Sequence, residues 1–292
     1  MAWLQLKIIT EPAQAEAIEQ TLLDCGALSI TYADNADEAI LEPALGETPL
    51  WRDTAVTALF AADVDTRIIN TSLTGIITDY SSYHRWEQME DKDWTREWMQ
   101  HYHPIDCGND LWICPSWRQP PVAKATNVLL DPGLAFGTGT HPTTLLCLEW
   151  LAARDLAGLT IIDYGCGSGL LGIAALKRGA DKVIAIDIDP QALLATRDNA
   201  ERNGLAAAKL ESYLPDQAPT LAADLVFANI LAGPLIALAP TLLAHTRSER
   251  WLCLSGILAQ QGESVFQAYR ADCPTMQQRQ RDEWLQLALQ KR

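Results

Sequence analysis

Apolar residues recur along the chain at two spacings, and the alternation between these spacings outlines its elements. From Trp3 to Thr10 the apolar side chains Leu4, Leu6 and Ile8 fall on one face, the two-residue period of a strand. Pro12 suits the first turn of a helix, and Ala17, Ile18, Thr21, Leu22 and Cys25 give that helix an inward stripe, which Gly26 ends. Leu28, Ile30 and Tyr32 alternate as a second strand, and Ala55 to Ala61 read as a third. Val64, Ile68, Leu73, Ile76 and Ile77 then form a helical stripe, followed by an extended Tyr83 to Met89. The order β-α-β-β-α-β predicts a ferredoxin-like α+β domain over residues 1–90. In Glu90 to Pro104, charged and aromatic, Trp94 and Trp98 lie four apart on one helical face, which predicts a linker helix over residues 91–106.

Residues 107–292 change character. Short apolar runs at Leu111–Cys114, Val128–Leu130, Thr160–Tyr164, Val183–Ile186, Lys209–Ser212, Asp224–Asn229 and Trp251–Ser255 read as strands. Helical stretches follow many of them: Thr143–Arg154, Leu170–Arg178, a helix capped by Asp189 and running to Asn203, one from about Gly233, and Leu258–Tyr269. Met276–Arg281 and Trp284–Gln290 alternate like a terminal antiparallel pair. Strands alternating with helices predict an α/β fold, a Rossmann-like doubly wound sheet covered on both faces.

One stretch organises that second domain. Thr160 to Gly172 reads Thr-Ile-Ile-Asp-Tyr-Gly-Cys-Gly-Ser-Gly-Leu-Leu-Gly, a strand running into a glycine turn and then a helix. A second apolar run, Val183–Ile186, ends in Asp187. This is the layout of a nucleotide-type site at the carboxyl edge of a parallel sheet. Gly167-x-Gly169-x-x-Gly172 fits a dinucleotide fingerprint and hydride transfer, but its first glycine comes late, after Gly165 and Cys166. Gly165, Gly167 and Gly169 with Asp163 two residues ahead resemble instead the first motif of class I S-adenosylmethionine-dependent methyltransferases. A carboxylate here is awkward beside a pyrophosphate and natural beside a sulfonium with an ammonium group. Asp187 is placed to accept both ribose hydroxyls, and Asn229, ending the fourth strand, to offer its amide to the donor or to a target amine. The glycine- and threonine-rich loop from Asp131 to Thr144 feeds a helix amino terminus suited to a carboxylate. Asn229-Ile-Leu-Ala232 stands where amino-methylating enzymes carry Asn-Pro-Pro-Tyr/Phe, and Ala232 offers no aromatic face for a flipped base.

Charge narrows the partner. The net −15 is concentrated in residues 1–90, where Lys7, Arg52, Arg67 and Arg85 face fifteen acidic residues. Such a domain repels a phosphate backbone and attracts a basic partner, so direct nucleic-acid binding is not expected. Seven cysteines without a Cys-x-x-Cys pair fit reduced thiols in the cytoplasm, and no His/Cys spacing suggests a metal. No run approaches membrane-spanning length, and the first residues lack a signal-like core.

Three stretches together carry a specific resemblance: Asp-Pro-Gly-Leu-Ala-Phe-Gly-Thr-Gly-Thr-His-Pro-Thr-Thr from Asp131, Asp-Tyr-Gly-Cys-Gly-Ser-Gly from Asp163, and Asn-Ile-Leu-Ala-Gly-Pro-Leu from Asn229. They are similar to the signatures of the bacterial methyltransferases of large-subunit ribosomal protein eleven, and the likeness extends over nearly the whole chain. The resemblance implies S-adenosylmethionine as cofactor, with Thr144, Gly165, Asp187 and Asn229 at cofactor-binding positions. It also implies a basic ribosomal protein as substrate, methylated on its α-amine and on lysine side chains by the domain 107–292 while 1–90 docks it. Asn229 and His141 are the candidate catalytic groups, with loss of the amine proton to water as the default route. The alternative is an S-adenosylmethionine-dependent methyltransferase acting on RNA or a small substrate.

Overall fold

The computed structural model describes residues 3–36, 38, 40, 47–77, 84–89, 102–131 and 139–292. Contacts between residues divide the chain into two units, Met1–Trp98 and Met99–Arg292.

The first unit is a four-stranded antiparallel sheet of β1 (Trp3–Thr10), β2 (Ser29–Asp34), β3 (Thr54–Ala61) and β4 (His84–Met89), in the order β2-β3-β1-β4. With helices α1 (Pro12–Asp24) and α2 (Thr66–Thr74), this is the ferredoxin-like arrangement. Leu6 and Ile8 of β1 and Val56, Ala58 and Phe60 of β3 pack against Ile18 and Leu22 of α1 and Ile69 and Leu73 of α2. The buried faces of both helices depart from the expected stripes, at Ala17 in α1 and at Ile68 in α2. Ala15, not Ala17, lies on the buried face of α1, and Ile69 is buried while Ile68 is 62% exposed. Alanine carries little hydrophobic signal, and two adjacent isoleucines fit either phase, so only packing selects Ile69 with Leu73 four residues on. Leu28 also stays exposed, just before β2.

Most of the linker helix expected over 91–106, with Trp94 and Trp98, lies outside the described residues, as does most of the loop after Asp131. At the end of that span Ile105–Asp106 is a short strand, β5, pairing with β6 (Leu111–Cys114), which runs parallel to β7 (Thr126–Leu129).

The large sheet of the second unit contains β8 (Thr160–Tyr164), β9 (Lys182–Ile186), β10 (Leu210–Tyr213), β11 (Ala223–Asn229), β12 (Thr246–Leu258), β13 (Thr275–Arg281) and β14 (Trp284–Gln290). Their order is β10-β9-β8-β11-β12-β14-β13; the first five are parallel, and β14 is antiparallel to both its neighbours. Adjacent residues on a strand enter opposite cores. Ile161, Val183, Phe227 and Cys253 join one with α3 (Pro142–Ala152), α4 (Leu170–Lys177) and α5 (Pro190–Arg202). Ile162, Ile184, Val226 and Leu254 join the other with α6 (Ala232–Ala237), α7 (Ala239–Ala244) and α8 (Gly262–Tyr269). Burial on both faces is why these strands read as unbroken apolar runs. Leaving β8 the chain winds to β9 and β10 on one side and returns to β11 on the other, so the carboxyl end of β8 is the topological switch point.

Two details depart from the expected elements. The helix expected from Gly233 is split at Leu238, because Pro240 supplies no backbone N–H to continue the first helix. β12 begins at Thr246 rather than Trp251, Arg247 to Arg250 being polar and exposed. No helix among the described residues is long and apolar enough to cross a membrane. Truncation of Phe60, wholly buried and 5.7 Å from the Trp86 ring, is expected to cost about 3–5 kcal/mol in Phe60→Ala, read as a lowered denaturation midpoint of the first unit.

Candidate functional site

Strand β8 ends in a turn that only glycine supports comfortably. Gly165, Gly167 and Gly169 have φ of 73°, 54° and 76°, the left-handed region that a Cβ disfavours. A Cβ on Gly169 would come within 2.7 Å of Thr196, and one on Gly165 within 2.3 Å of the Ile230 side chain. The turn is tied to the neighbouring strand: Gly165 N–H donates to Ile186 O (2.7 Å) and Gly167 N–H to Asp187 Oδ2 (2.9 Å). The other oxygen of Asp187 accepts from Asp189 N–H (3.0 Å), and Asp189 caps α5. Asp187 is thus half-buried with a fixed carboxylate, each oxygen keeping a lone pair for a ligand. Ile188, next along, is 81% exposed.

Asn229 is held from the other side of β8. Its Nδ2 donates to Thr144 Oγ1 at 3.2 Å, so two residues singled out separately in the sequence form one pair, leaving Asn229 its carbonyl oxygen to offer. Thr144 is buried at the first turn of α3. The residue after Asn229 fixes its direction: Ile230 sits between Gly165 and Gly256, whose Cβ would meet Ile230 O at 2.4 Å. Gly256, with φ of 81°, is a site residue that the sequence pattern did not reveal.

Asp163 and His141 hold places other than those expected. Asp163 is 1% exposed and accepts the Gly172 N–H at 3.0 Å, so it lies under the turn, joining β8 to α4, rather than at the open edge. Burial, with Asp187 nearby, raises its pKa to about 7. His141 caps α3: its Nδ1 accepts from Thr143 N–H (3.4 Å) and lies 2.8 Å from Thr143 Oγ1. Its ring edge meets Trp284 at 5.0 Å, and partial burial depresses its pKa. This geometry makes His141 the cap of α3. No group of three or more potential metal ligands occurs among the described residues.

Comparison with known proteins shows the family. The family model for ribosomal protein L11 methyltransferase (PrmA) matches residues 2–292. The chain belongs to the ribosomal protein L11 methyltransferase family. It is 54% identical over 288 residues to the ribosomal protein L11 methyltransferase of Saccharophagus degradans, covering 99% of both chains. With the protein of that name from Escherichia coli O7:K1 it shares 53% over 293 residues, 100% of each. Among solved structures, the ribosomal protein L11 methylase from Lactobacillus delbrueckii subsp. bulgaricus is 33% identical with a TM-score of 0.57, matching 65% of this chain and 100% of its own. In this chain the switch-point turn, Asp187 and Asn229 make up the candidate site.

The raised acidity constant of Asp163 has a thermodynamic consequence. A carboxyl whose folded pKa lies above its unfolded value destabilises the fold as pH rises from about 4 through about 7. Asp163→Asn, which keeps an acceptor for Gly172, is therefore expected to be more stable than the parent at pH 8, by up to about 4 kcal/mol. The gap should narrow by roughly 1 kcal/mol at pH 6, measured by urea denaturation at both values.

Proposed function

We propose that this chain transfers methyl groups from S-adenosylmethionine to amino groups of ribosomal protein L11, its α-amine and lysine side chains. The observation that carries the reading is the glycine turn at the switch point with Asp187 bonded across it, in a chain matched end to end by the L11 methyltransferase family. The residues present suit the donor. Asp187 offers a carboxylate to a ribose diol, Ile188 an apolar surface to a flat base, and the three glycines a backbone that a ligand approaches closely. Gly165, Gly167, Gly169, Asp187, Thr144 and Asn229 would hold the cofactor, with Asp163 supporting the turn from beneath.

When bound, S-adenosylmethionine supplies an electrophilic methyl on a sulfonium. The chain's own task is alignment, since an in-line displacement gains most from holding nucleophile and electrophile in register. The Asn229 carbonyl, fixed by the Thr144 bond and by Ile230 between two glycines, is the acceptor that orients the target amine. At pH 7, deprotonation costs roughly 4–5 kcal/mol for a lysine and about 1 for an α-amine. His141 caps α3 and is given no role as the base in this reading. The proton leaves to water, helped by desolvation of the ammonium beside a cationic donor.

The acidic residues 1–90 dock the basic substrate, and residues 107–292 perform the transfer at a cytoplasmic site. The charge of the first unit favours a basic protein over RNA as the partner.

Two outcomes follow from this reading. Asp187→Ala should weaken S-adenosylmethionine by about 10–100-fold in calorimetric titration, the loss of charge-assisted bonds of roughly 1.5–3 kcal/mol; an unchanged dissociation constant would put the ribose elsewhere. Raising salt to about 0.5 M should increase KM for the protein substrate several-fold while leaving donor affinity within about twofold, because screening acts on docking between exposed charges. A salt-independent KM would remove the first unit's charge from substrate recognition.

A further inference from the structure

The inward face of α5 carries polar residues that neither the strand ends nor the glycine turn accounts for. Thr196 is wholly buried and Asn199 7% exposed, between the apolar Ala192, Leu193 and Ala200. Thr196 Oγ1 donates to Gly167 O (3.0 Å), and Asn199 Nδ2 donates to Ser168 O (2.9 Å). These are consecutive carbonyls of the turn. Because a peptide unit is planar, fixing them fixes the two peptide planes between Gly167 and Gly169, and with them the N–H directions.

The Asn199 side chain is oriented from its other end. Arg202 Nη1 donates to Asn199 Oδ1 (2.5 Å), and Arg202 Nε pairs with Asp131 Oδ2 at 3.6 Å. Asp131 accepts in turn from the backbone N–H and the hydroxyl of Ser116, both at 2.7 Å. Asn203 completes the attachment by bonding both backbone groups of Leu129 in β7, accepting from its N–H (2.8 Å) and donating to its carbonyl (2.7 Å). One helix therefore grips the glycine turn with its middle and the small sheet with its carboxyl end.

We propose that Thr196 and the relay Asn199–Arg202–Asp131 are positioning residues that hold the glycine turn in its ligand-ready form, coupling donor affinity to the small sheet. The inference rests on the donor reading above. A turn with three left-handed glycines loses more conformational freedom on ordering than any other of its length, so unless it is already ordered, ligand binding carries that loss. Hydrogen bonds from the buried Thr196 and Asn199, the latter oriented by the exposed Arg202 and the half-buried Asp131, remove this loss beforehand. None of these side chains needs to touch the donor for the effect to appear.

The test uses the full chain and S-adenosylhomocysteine as the probe. Thr196→Val keeps the shape against Gly169 and removes only the hydroxyl; Asn199→Ala removes the bond to Ser168. Each is expected to weaken binding about tenfold, with an unfolding midpoint within a few degrees of the parent. Amide exchange over residues 165–169, measured with no ligand present, should accelerate in both. Arg202→Met should weaken binding several-fold alone and add nothing in the Asn199→Ala background, as members of one relay do. A parent chain that binds the probe, with Thr196→Val and Asn199→Ala binding and exchanging equally well, overturns the inference alone. A parent chain that does not bind the probe overturns the donor reading and this inference with it.

Discussion

The second unit is organised by the bond from Gly167 N–H to Asp187 across the switch point. It closes a turn that three left-handed glycines would otherwise leave loose, and it presents a carboxylate whose direction is set before any ligand arrives. Everything around it supports that closure. β8 and β9 are held in parallel register beneath it, Asp163 joins β8 to α4, and Asp189 starts α5 immediately beyond. The sheet order makes the site possible, because the chain departs in opposite directions from β8 and leaves an open crevice at its carboxyl end.

The site is assembled in layers. Glycines permit the backbone path, short polar bonds select one path among many, and close backbone crossings transmit it to the residues that act. Ile230 illustrates the last layer. Wedged between Gly165 and Gly256, it ties the direction of Asn229 to the turn one strand away, so both sides of the candidate site are set by the same contacts. Asp163 shows that such support has a cost: a carboxyl buried where its charge is disfavoured, retained for its bond to Gly172. His141 adds a different lesson, since a histidine beside a cofactor loop is here a helix cap whose ring nitrogen is already engaged.

Residue order and composition alone determined a good deal. Alternation gave the strands of both units, because period two survives wherever one face is buried, and unbroken apolar runs gave the parallel strands buried on both. The glycine spacing, the acid ending β9 and the asparagine ending β11 marked the site, since a strand followed by a helix brings its carboxyl end to one edge whatever lies between. Tertiary structure decided the rest. The choice between Ile68 and Ile69 needed the packing of α2, and Gly256 became meaningful only when Ile230 was found against it. The reading of α5 from the sequence gave only its cap and its end; Thr196 and Asn199 acquired a role through partners that lie about 30 residues away in sequence. Local pattern reports which face a side chain takes; it carries no information on which distant backbone carbonyl that face will meet. That is why the candidate edge was legible in the sequence, while the bonds from α5 to the turn, the burial of Asp163 and the capping by His141 emerged only when the elements were packed together.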